Sequence, residues 1–327
     1  MPQGTTRWAL TLCLAVATFA ASGQLAAQEF PTKPVRIVVP FPPGGNSDVL
    51  ARIVGAEMSR SLGQQVLVEN RPGAGGTIAA NVVAKSAPDG YTLLLATAGT
   101  HGIATTLYPS LPYDAVRDFA PVTNVAAAPL LFLANAGAPY RSLADLVAAA
   151  KAKPGNLMFG SAGMGSSGHM STELFLMLAG LRMVHVPYKG GNLASADLMN
   201  GAVELVLDQI PASLPLIKAG KLRALAISTP RRSELLPEVP TAAESGVPGY
   251  SAQSWFGFVA PAGTPRPALA RLHADTVRTL AMPEVRSRIL GIGMEPVGNS
   301  QEDFAAFIRG EIERWGRVVK AAGVKAD

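Results

Sequence analysis

Three serines and a histidine crowd one stretch, Ser161-Ala162-Gly163-Met164-Gly165-Ser166-Ser167-Gly168-His169. Serine beside histidine is the pairing of nucleophilic acyl transfer, in which the imidazole takes the hydroxyl proton. The chain has no G-x-S-x-G elbow, so these serines lack the strained turn that exposes an α/β-hydrolase nucleophile. Gly163, Gly165 and Gly168 match the G-x-G-x-x-G spacing of dinucleotide sites and follow a short strand, Leu157 to Gly160. The next strand ends at Val186-Pro187-Tyr188 without an acidic residue to hold a ribose, which argues against a nucleotide. Two uses remain for the stretch: a structural glycine turn, or small-anion binding by backbone N–H and hydroxyl donors at a helix start. The second is favoured.

The same chemistry is offered by Phe41-Pro42-Pro43-Gly44-Gly45-Asn46-Ser47-Asp48. The prolines remove donors and fix φ, while Gly44 and Gly45 permit positive φ and close backbone approach. The N–H groups that follow point outward from a helix N-terminus, where the dipole favours a carboxylate. Asp48 is expected to cap its own helix, since a carboxylate beside a bound anion repels it. Thr97 and Ala98 open a third loop of small residues.

Two titratable groups have open roles. His169 either donates to a ligand oxygen or makes a local bond to the backbone at its helix start. Asp208, at a predicted strand end, either orients a ligand amine or serves structure, as the cap of a helix near Ala212 or a partner for Lys189. Trp255 and Phe256 close over a ligand or fill the core, the commoner fate of aromatics. The four histidines, at 101, 169, 185 and 273, have no metal-ligand spacing, so neither a metal nor a cofactor is expected.

The elements that position these loops follow from periodicity. Val35 to Val39 is a buried strand, and Val49, Leu50, Ile53, Val54 and Met58 have helical spacing, so the Phe41 loop is a strand-to-helix turn. Gln65 to Glu69 is a second strand, Arg71 to Gly76 leads into a helix through Val83, and Tyr91 to Ala96 is a third strand. This alternation predicts a parallel sheet with ligands beyond the carboxyl ends of its strands, where the Phe41 and Thr97 loops fall. From Phe119 to Leu133 two extended apolar runs, interrupted at Ala126-Ala127-Ala128-Pro129, mark a crossing to a second lobe of like construction. There Ser142 and Asp145 form a capping box, and Val184 to Gly191 makes a further strand-turn-helix passage. Gln253 to Pro261 re-enters the first lobe. The rest is helical, ending in Gln301 to Ala322 with Phe304, Phe307, Ile308, Ile312 and Trp315 as its apolar stripe.

The chain has 327 residues and a formal charge of +5 without any block of Lys and Arg, so no nucleic-acid surface is expected. Arg7, an apolar run from Trp8 to Ala21, and Leu25-Ala26-Ala27 have the make-up of a cleaved signal peptide, 1–27. No apolar run after residue 30 is long enough to span a bilayer, so the mature chain is not expected to insert in a membrane. The one cysteine, Cys13, lies in the signal, which removes disulfides and thiolate chemistry from the mature protein.

Pro31-Thr-Lys-Pro34-Val-Arg36-Ile, Phe41-Pro-Pro-Gly-Gly45, Glu69-Asn70-Arg71-Pro-Gly-Ala-Gly75-Gly, Pro88-Asp-Gly-Tyr-Thr92, Gly160-Ser-Ala-Gly, Val186-Pro-Tyr-Lys-Gly190 and Ala260-Pro-Ala-Gly-Thr-Pro265 occur in one order along the mature chain. In that order they resemble the Bug (TctC-like) family of periplasmic solute receptors. The resemblance implies an α/β, type II periplasmic-binding-protein fold, two lobes around a ligand cleft. The expected boundaries are 28–125 with 252–327 for lobe 1 and 126–251 for lobe 2. It implies that Phe41, Pro42, Gly44, Gly45 and Asn46, with Thr97 and Ala98, face Ser161, Ala162, Gly163, Ser166, Ser167 and His169 across the cleft and clamp a small organic carboxylate; Asp208 joins this set from its position. Relatives vary at the position of Asn46, which makes it a candidate for ligand choice. The implied partners are that carboxylate and the membrane subunits of a tripartite tricarboxylate transporter, in the periplasm. The alternative is a ligand-dependent sensor presenting its closed form to a membrane kinase. Neither is an enzyme.

Overall fold

The computed structural model describes residues 30–325, so the expected signal peptide and Cys13 lie outside the described residues. β1 (Val35–Val39) is an apolar run buried on both faces, as a strand covered by helices must be. α1 (Asn46–Leu62) follows it, turns Leu50, Val54 and Met58 to the core, and ends at Gly63, whose φ of +67° is the left-handed stop that glycine supplies. β2 (Val66–Asn70), α2 (Thr77–Ala84) and β3 (Thr92–Thr97) complete the unit, with β1 paired parallel to both β2 and β3.

The loop expected after β3 is instead helical: a π-helical turn over Gly99–Ile103 continues into α3 (Ala104–Leu107). Reciprocal bonds start it, Thr97 N–H to Thr100 Oγ1 at 3.0 Å and Thr100 N–H to Thr97 Oγ1 at 3.3 Å. β4 (Phe119–Asn135) departs further from expectation. It is one strand of 17 residues, continuous through Ala126 to Pro129 where two runs were expected. A partner explains the continuity: a later strand pairs antiparallel with it from Phe119↔Pro261 to Pro129↔Gln253, absorbing irregularities as register shifts at Pro121/Thr123 and Asn124/Ala126.

The second unit comprises α4 (Leu143–Ala152), β5 (Met158–Ser161), α5 (Ser167–Ala179), β6 (Val184–Pro187), α6 (Gly191–Asn200), β7 (Leu205–Gln209), α7 (Ile210–Lys218) and β8 (Leu222–Ile227). Its expected capping box is present: Ser142 accepts from Asp145 N–H at 3.2 Å, and the Asp145 carboxylate accepts from Ser142 N–H at 2.9 Å. The chain then returns through β9 (Gln253–Pro261), the partner of β4, to α8 (Arg266–Ala281), α9 (Pro283–Gly291), β10 (Glu295–Pro296) and α10 (Gln301–Ala322).

The strand order β2-β1-β3-β9-β4-β7-β5-β6, with β8 and β10 also on β4, divides into two sheets that share β4. Its first half lies with β9 and β10, and its second half, from Leu130, with β7 and β8. This is a two-lobed α/β fold, with the β1–α1 and β5–α5 loops at the carboxyl ends of parallel strands, where such folds bind their ligands. No helix among the described residues is long and apolar enough to cross a membrane.

α10 fastens the crossing. Phe304, Ile308 and Trp315 are buried, with Phe307 and Ile312 packed against the same core. The buried Glu311 carboxylate accepts from two indoles, Trp255 Nε1 at 2.9 Å and Trp315 Nε1 at 2.8 Å, so Trp255 is a core residue. The neighbouring Arg314 donates to the Ser251 carbonyl, where the chain re-enters β9. Glu311→Ala leaves two buried indole donors without an acceptor and is expected to lower unfolding free energy by about 3 kcal/mol in urea titration. A loss below about 1 kcal/mol would show that the carboxylate does not hold this joint.

Candidate functional site

The Phe41 loop leaves β1 for α1 and is held from behind. Asn70 Nδ2 donates to the Phe41 carbonyl at 3.0 Å, and the buried Asp48 carboxylate accepts from Gly44 N–H at 2.9 Å and pairs with Arg52 at 3.0 Å. Burial alone would raise the Asp48 carboxyl, but the bonds from Arg52 and Gly44 outweigh it and hold the group below the usual carboxylate range. Asp48 therefore acts within its own turn, three residues past Gly45, which is the N-cap and supplies no side-chain cap. The N–H groups of the first turn of α1 are left to face outward. Only Gly44 of the glycine pair needs its freedom, with φ of +80°; Gly45 has φ of −75°, and a Cβ built there meets only the Pro42 carbonyl at 3.5 Å. Pro42, Gly44 and Gly45 are exposed, and Phe41 and Asn46 half-buried.

The facing loop leaves β5 for α5. Ser166 is the N-cap, its oxygen accepting from His169 N–H at 3.2 Å, which leaves its hydroxyl hydrogen to be donated outward. Ser166, Ser167 and Gly163 are half-buried and Ala162 exposed, whereas Ser161 and His169 are enclosed, each 1% exposed. His169 takes the local alternative: its Nδ1 accepts from Gly165 N–H at 3.1 Å, and its ring stacks on His185 with centroids 3.8 Å apart. Burial, with the neighbouring His185, lowers its pKa to about 3. Its Nε2 lies 3.7 Å from Glu173 Oε1, and burial pushes the Glu173 carboxyl up to about 7. Thr97 and Ala98 are buried at the base of the first lobe's turn, with the Thr97 hydroxyl accepting from Thr100.

The two lobes meet at these loops. Asn46 Nδ2 donates to Gln209 Oε1 at 2.6 Å, from the first turn of α1 to the last residue of β7. On another side, Gly165 lies so close to Leu107 of α3 that a Cβ there would fall 2.4 Å from its Cδ2.

Asp208 fills neither structural role expected of it. The N-cap of α7 is Gln209, and Lys189 makes no pair with Asp208. Instead Oδ1 accepts from Gln209 N–H at 2.8 Å, while Oδ2 is enclosed without a hydrogen-bond partner. A Cβ at Gly191 would come within 2.6 Å of that oxygen, so the uncapped start of α6 approaches it closely. Burial pushes the carboxyl up to about 6. Gln209 and His185 escaped the sequence reading because no motif links them to their partners; only the meeting of the lobes and the pairing of β5 with β6 brings them in. Glu173 was within reach of it, since it lies four residues after His169 on the same helix.

The family model described as "Tripartite tricarboxylate transporter family receptor" (TctC) matches residues 50–324. The chain belongs to this family. Among TctC relatives, BugT of Bordetella pertussis is 39% identical over 321 residues, covering 98% of each chain. A Rhodopseudomonas palustris protein solved with adipate is 41% identical, with a TM-score of 0.86, covering 90% of this chain and 99% of its own. MatC from Rhodopseudomonas palustris, solved with bound malate, is 38% identical with a TM-score of 0.82, covering 89% of this chain and 100% of its own. The TctC architecture is thus shared over nearly the whole length, and the family is one of solute-binding receptors.

The Asp208 carboxyl gives a pH prediction. Its folded pKa of about 6 lies above the ordinary aspartate value of 3.8, so between these pH values the folded state keeps a proton that the unfolded state has lost. Stability carried by this group therefore falls as pH rises through that window. Asp208→Asn removes the penalty, and in urea titrations the variant is expected to be more stable than the parent by about 1 kcal/mol or more at pH 8, with the gap closing near pH 4. A pH-independent difference would show that the carboxyl titrates normally.

Proposed function

We propose that this chain is a periplasmic receptor that captures a small mono- or dicarboxylate in the cleft and delivers it to the membrane subunits of a tripartite tricarboxylate transporter. The observation that carries the proposal is the reach of the uncapped α1 turn to the second lobe, where Asn46 donates to Gln209 at the end of β7. In this reading the N–H dipoles at the starts of α1 and α5, with the Ser166 and Ser167 hydroxyls, are the donors to the ligand, a set that suits an anion with oxygens at both ends. Closure lowers the local dielectric and strengthens those bonds without a cationic side chain. The adipate and malate in the related structures support this ligand class.

In this reading residues 1–27 are a cleaved signal, lobe 1 comprises 28–125 and 252–327, lobe 2 comprises 126–251, and the hinge strands between them allow closure around ligand without chemistry on it. In the same reading Asp208, whose Oδ2 has no hydrogen-bond partner, accepts from a donor on the ligand chain, such as an amine or hydroxyl, directly or through water.

The test is a thermal-shift screen of the mature protein against aliphatic mono- and dicarboxylates, including adipate and malate, with amides and sugars as controls. A carboxylate at 100 times its Kd is expected to add about 2.7 kcal/mol of stability. Shifts with sugars alone, or with nothing after removal of any co-purified ligand, would overturn the assignment. For the responding carboxylate, Gly45→Val is expected to weaken binding more than tenfold, or about 1.4 kcal/mol, with unfolding behaviour preserved because the backbone there accepts a Cβ. Affinity like the parent's would remove the Gly45 backbone from the site.

A further inference from the structure

The pairing of β5 with β6 sets His185 beside Ser161, with His185 Nε2 2.7 Å from the Ser161 oxygen. The same hydroxyl has two further contacts, both with Gly163: the Gly163 N–H donates to it at 3.2 Å, and it donates to the Gly163 carbonyl at 3.1 Å. A serine hydroxyl holds one hydrogen and two lone pairs. Its hydrogen goes to the Gly163 carbonyl and one lone pair receives the Gly163 N–H, so all three contacts are met at once only if His185 Nε2 bears a hydrogen and donates. The neighbouring ring is assigned by the same counting, since His169 Nδ1 accepts from Gly165 N–H and its own hydrogen must sit on Nε2. The His185 ring is fixed in plane by stacking on His169 at 3.8 Å, tilted by 11°, and on Phe159 at 4.8 Å. Burial lowers the His185 pKa to about 4, so at neutral pH the ring is neutral.

We propose that His185, held as its Nε2–H tautomer, is a positioning residue that staples the second ligand loop through Ser161 without touching the ligand. The proposal deepens the carboxylate-receptor reading and rests on it. Ser161 is enclosed and its hydrogen-bonding capacity is spent, so it acts on the turn rather than on the cargo. That turn needs holding: Gly163 has φ of +125°, and a Cβ there would meet the Tyr188 carbonyl at 3.1 Å, on the chain just past β6. The turn sets the aim of Ala162 and, four and five residues on, of Ser166 and Ser167 at the start of α5. β6 thereby governs a loop that it does not belong to.

The test has two arms. In the first, long-range proton–nitrogen NMR on the ¹⁵N-histidine-labelled mature protein, without added ligand, reads the tautomer of each ring. His185 is expected as Nε2–H in the parent, with its Nε2 resonance displaced in Ser161→Ala; an Nδ1–H ring, or a resonance indifferent to that substitution, overturns the proposal whatever the cargo is. In the second, calorimetric affinities are measured for the carboxylate that shifts the parent most in the thermal screen. His185→Phe, which retains the stacking, and Ser161→Ala are each expected to lose about tenfold, the double variant no more than either, and His185→Gln to recover most of the loss. Additive losses, or a Ser161→Ala loss far greater than that of His185→Phe, would mean that Ser161 contacts the ligand itself and would overturn the staple. Circular dichroism of each variant separates these outcomes from misfolding, and the more conservative His185→Gln decides the matter if His185→Phe unfolds. If no carboxylate binds the parent, the receptor reading fails while the NMR arm still judges the staple.

Discussion

The antiparallel pairing of β4 with β9 is the constraint on which both lobes depend. β9 also pairs with β3, from Leu94↔Val259 to Thr97↔Phe256, so it ties the first parallel unit to the long strand. Beyond Pro129 the same β4 backbone takes β7 and β8 as partners, which passes the connection to the second unit. Every buried peptide group along this route must find a partner, and the ladder supplies them while allowing only register shifts, not a break. The lobes are therefore joined by strands instead of a flexible linker, and their relative motion is confined to bending of that joint. Glu311, by accepting from Trp255 of β9 and Trp315 of α10 at once, ties α10 to the strand that pairs with β4.

The site is assembled from backbone more than from charge. Arg52, on the helix that follows the first loop, pairs with Asp48, and Asp48 in turn holds Gly44, so two opposite charges serve to shape a turn. On the other lobe the polar side chains behind the loop are likewise committed, Ser161 to Gly163 and His185, and His169 to Gly165. What remains outward is N–H groups at two helix starts and the Ser166 and Ser167 hydroxyls. Such donors discriminate by direction and distance, because they cannot follow a misplaced oxygen as a lysine can. For the proposed receptor this makes loop geometry, and the residues that set it from behind, the expected seat of selectivity.

Much of this was legible in the sequence where it rests on local rules. The β-branched run before Phe41, the helical spacing after it, the Ser142 capping box and the apolar stripe of α10 are each decided within a few residues, and each stands in the structure. Which glycine of the Gly44-Gly45 pair takes the positive φ is not legible in the sequence, because adjacent glycines look alike on paper; in the structure it is Gly44. β4 was read as two runs because its interruption carries no turn chemistry of its own and is overruled by a partner strand from residue 253 onward. Asp208 was harder still. The roles weighed for it were a helix cap and a pairing with Lys189, whereas its surroundings are set by the backbone at Gly191 and, through the adjacent Gln209, by a contact with Asn46 across 163 residues of chain. Tertiary contacts of that span leave no periodicity to read.

The pair of indoles that share Glu311 also has an optical consequence. Of the chain's three tryptophans, Trp8 falls in the segment expected to be removed, leaving Trp255 and Trp315 as the emitters of the mature protein. Both are hydrogen-bonded to one carboxylate, and that carboxylate's neighbour Arg314 grips the carbonyl of Ser251 at the crossing between lobes. A rotation of the lobes that displaces Ser251 alters the field around both indoles together. The protein thus carries a native fluorophore pair beside the strands that join its lobes, so that the proposed opening and closing can be followed in real time with no label attached.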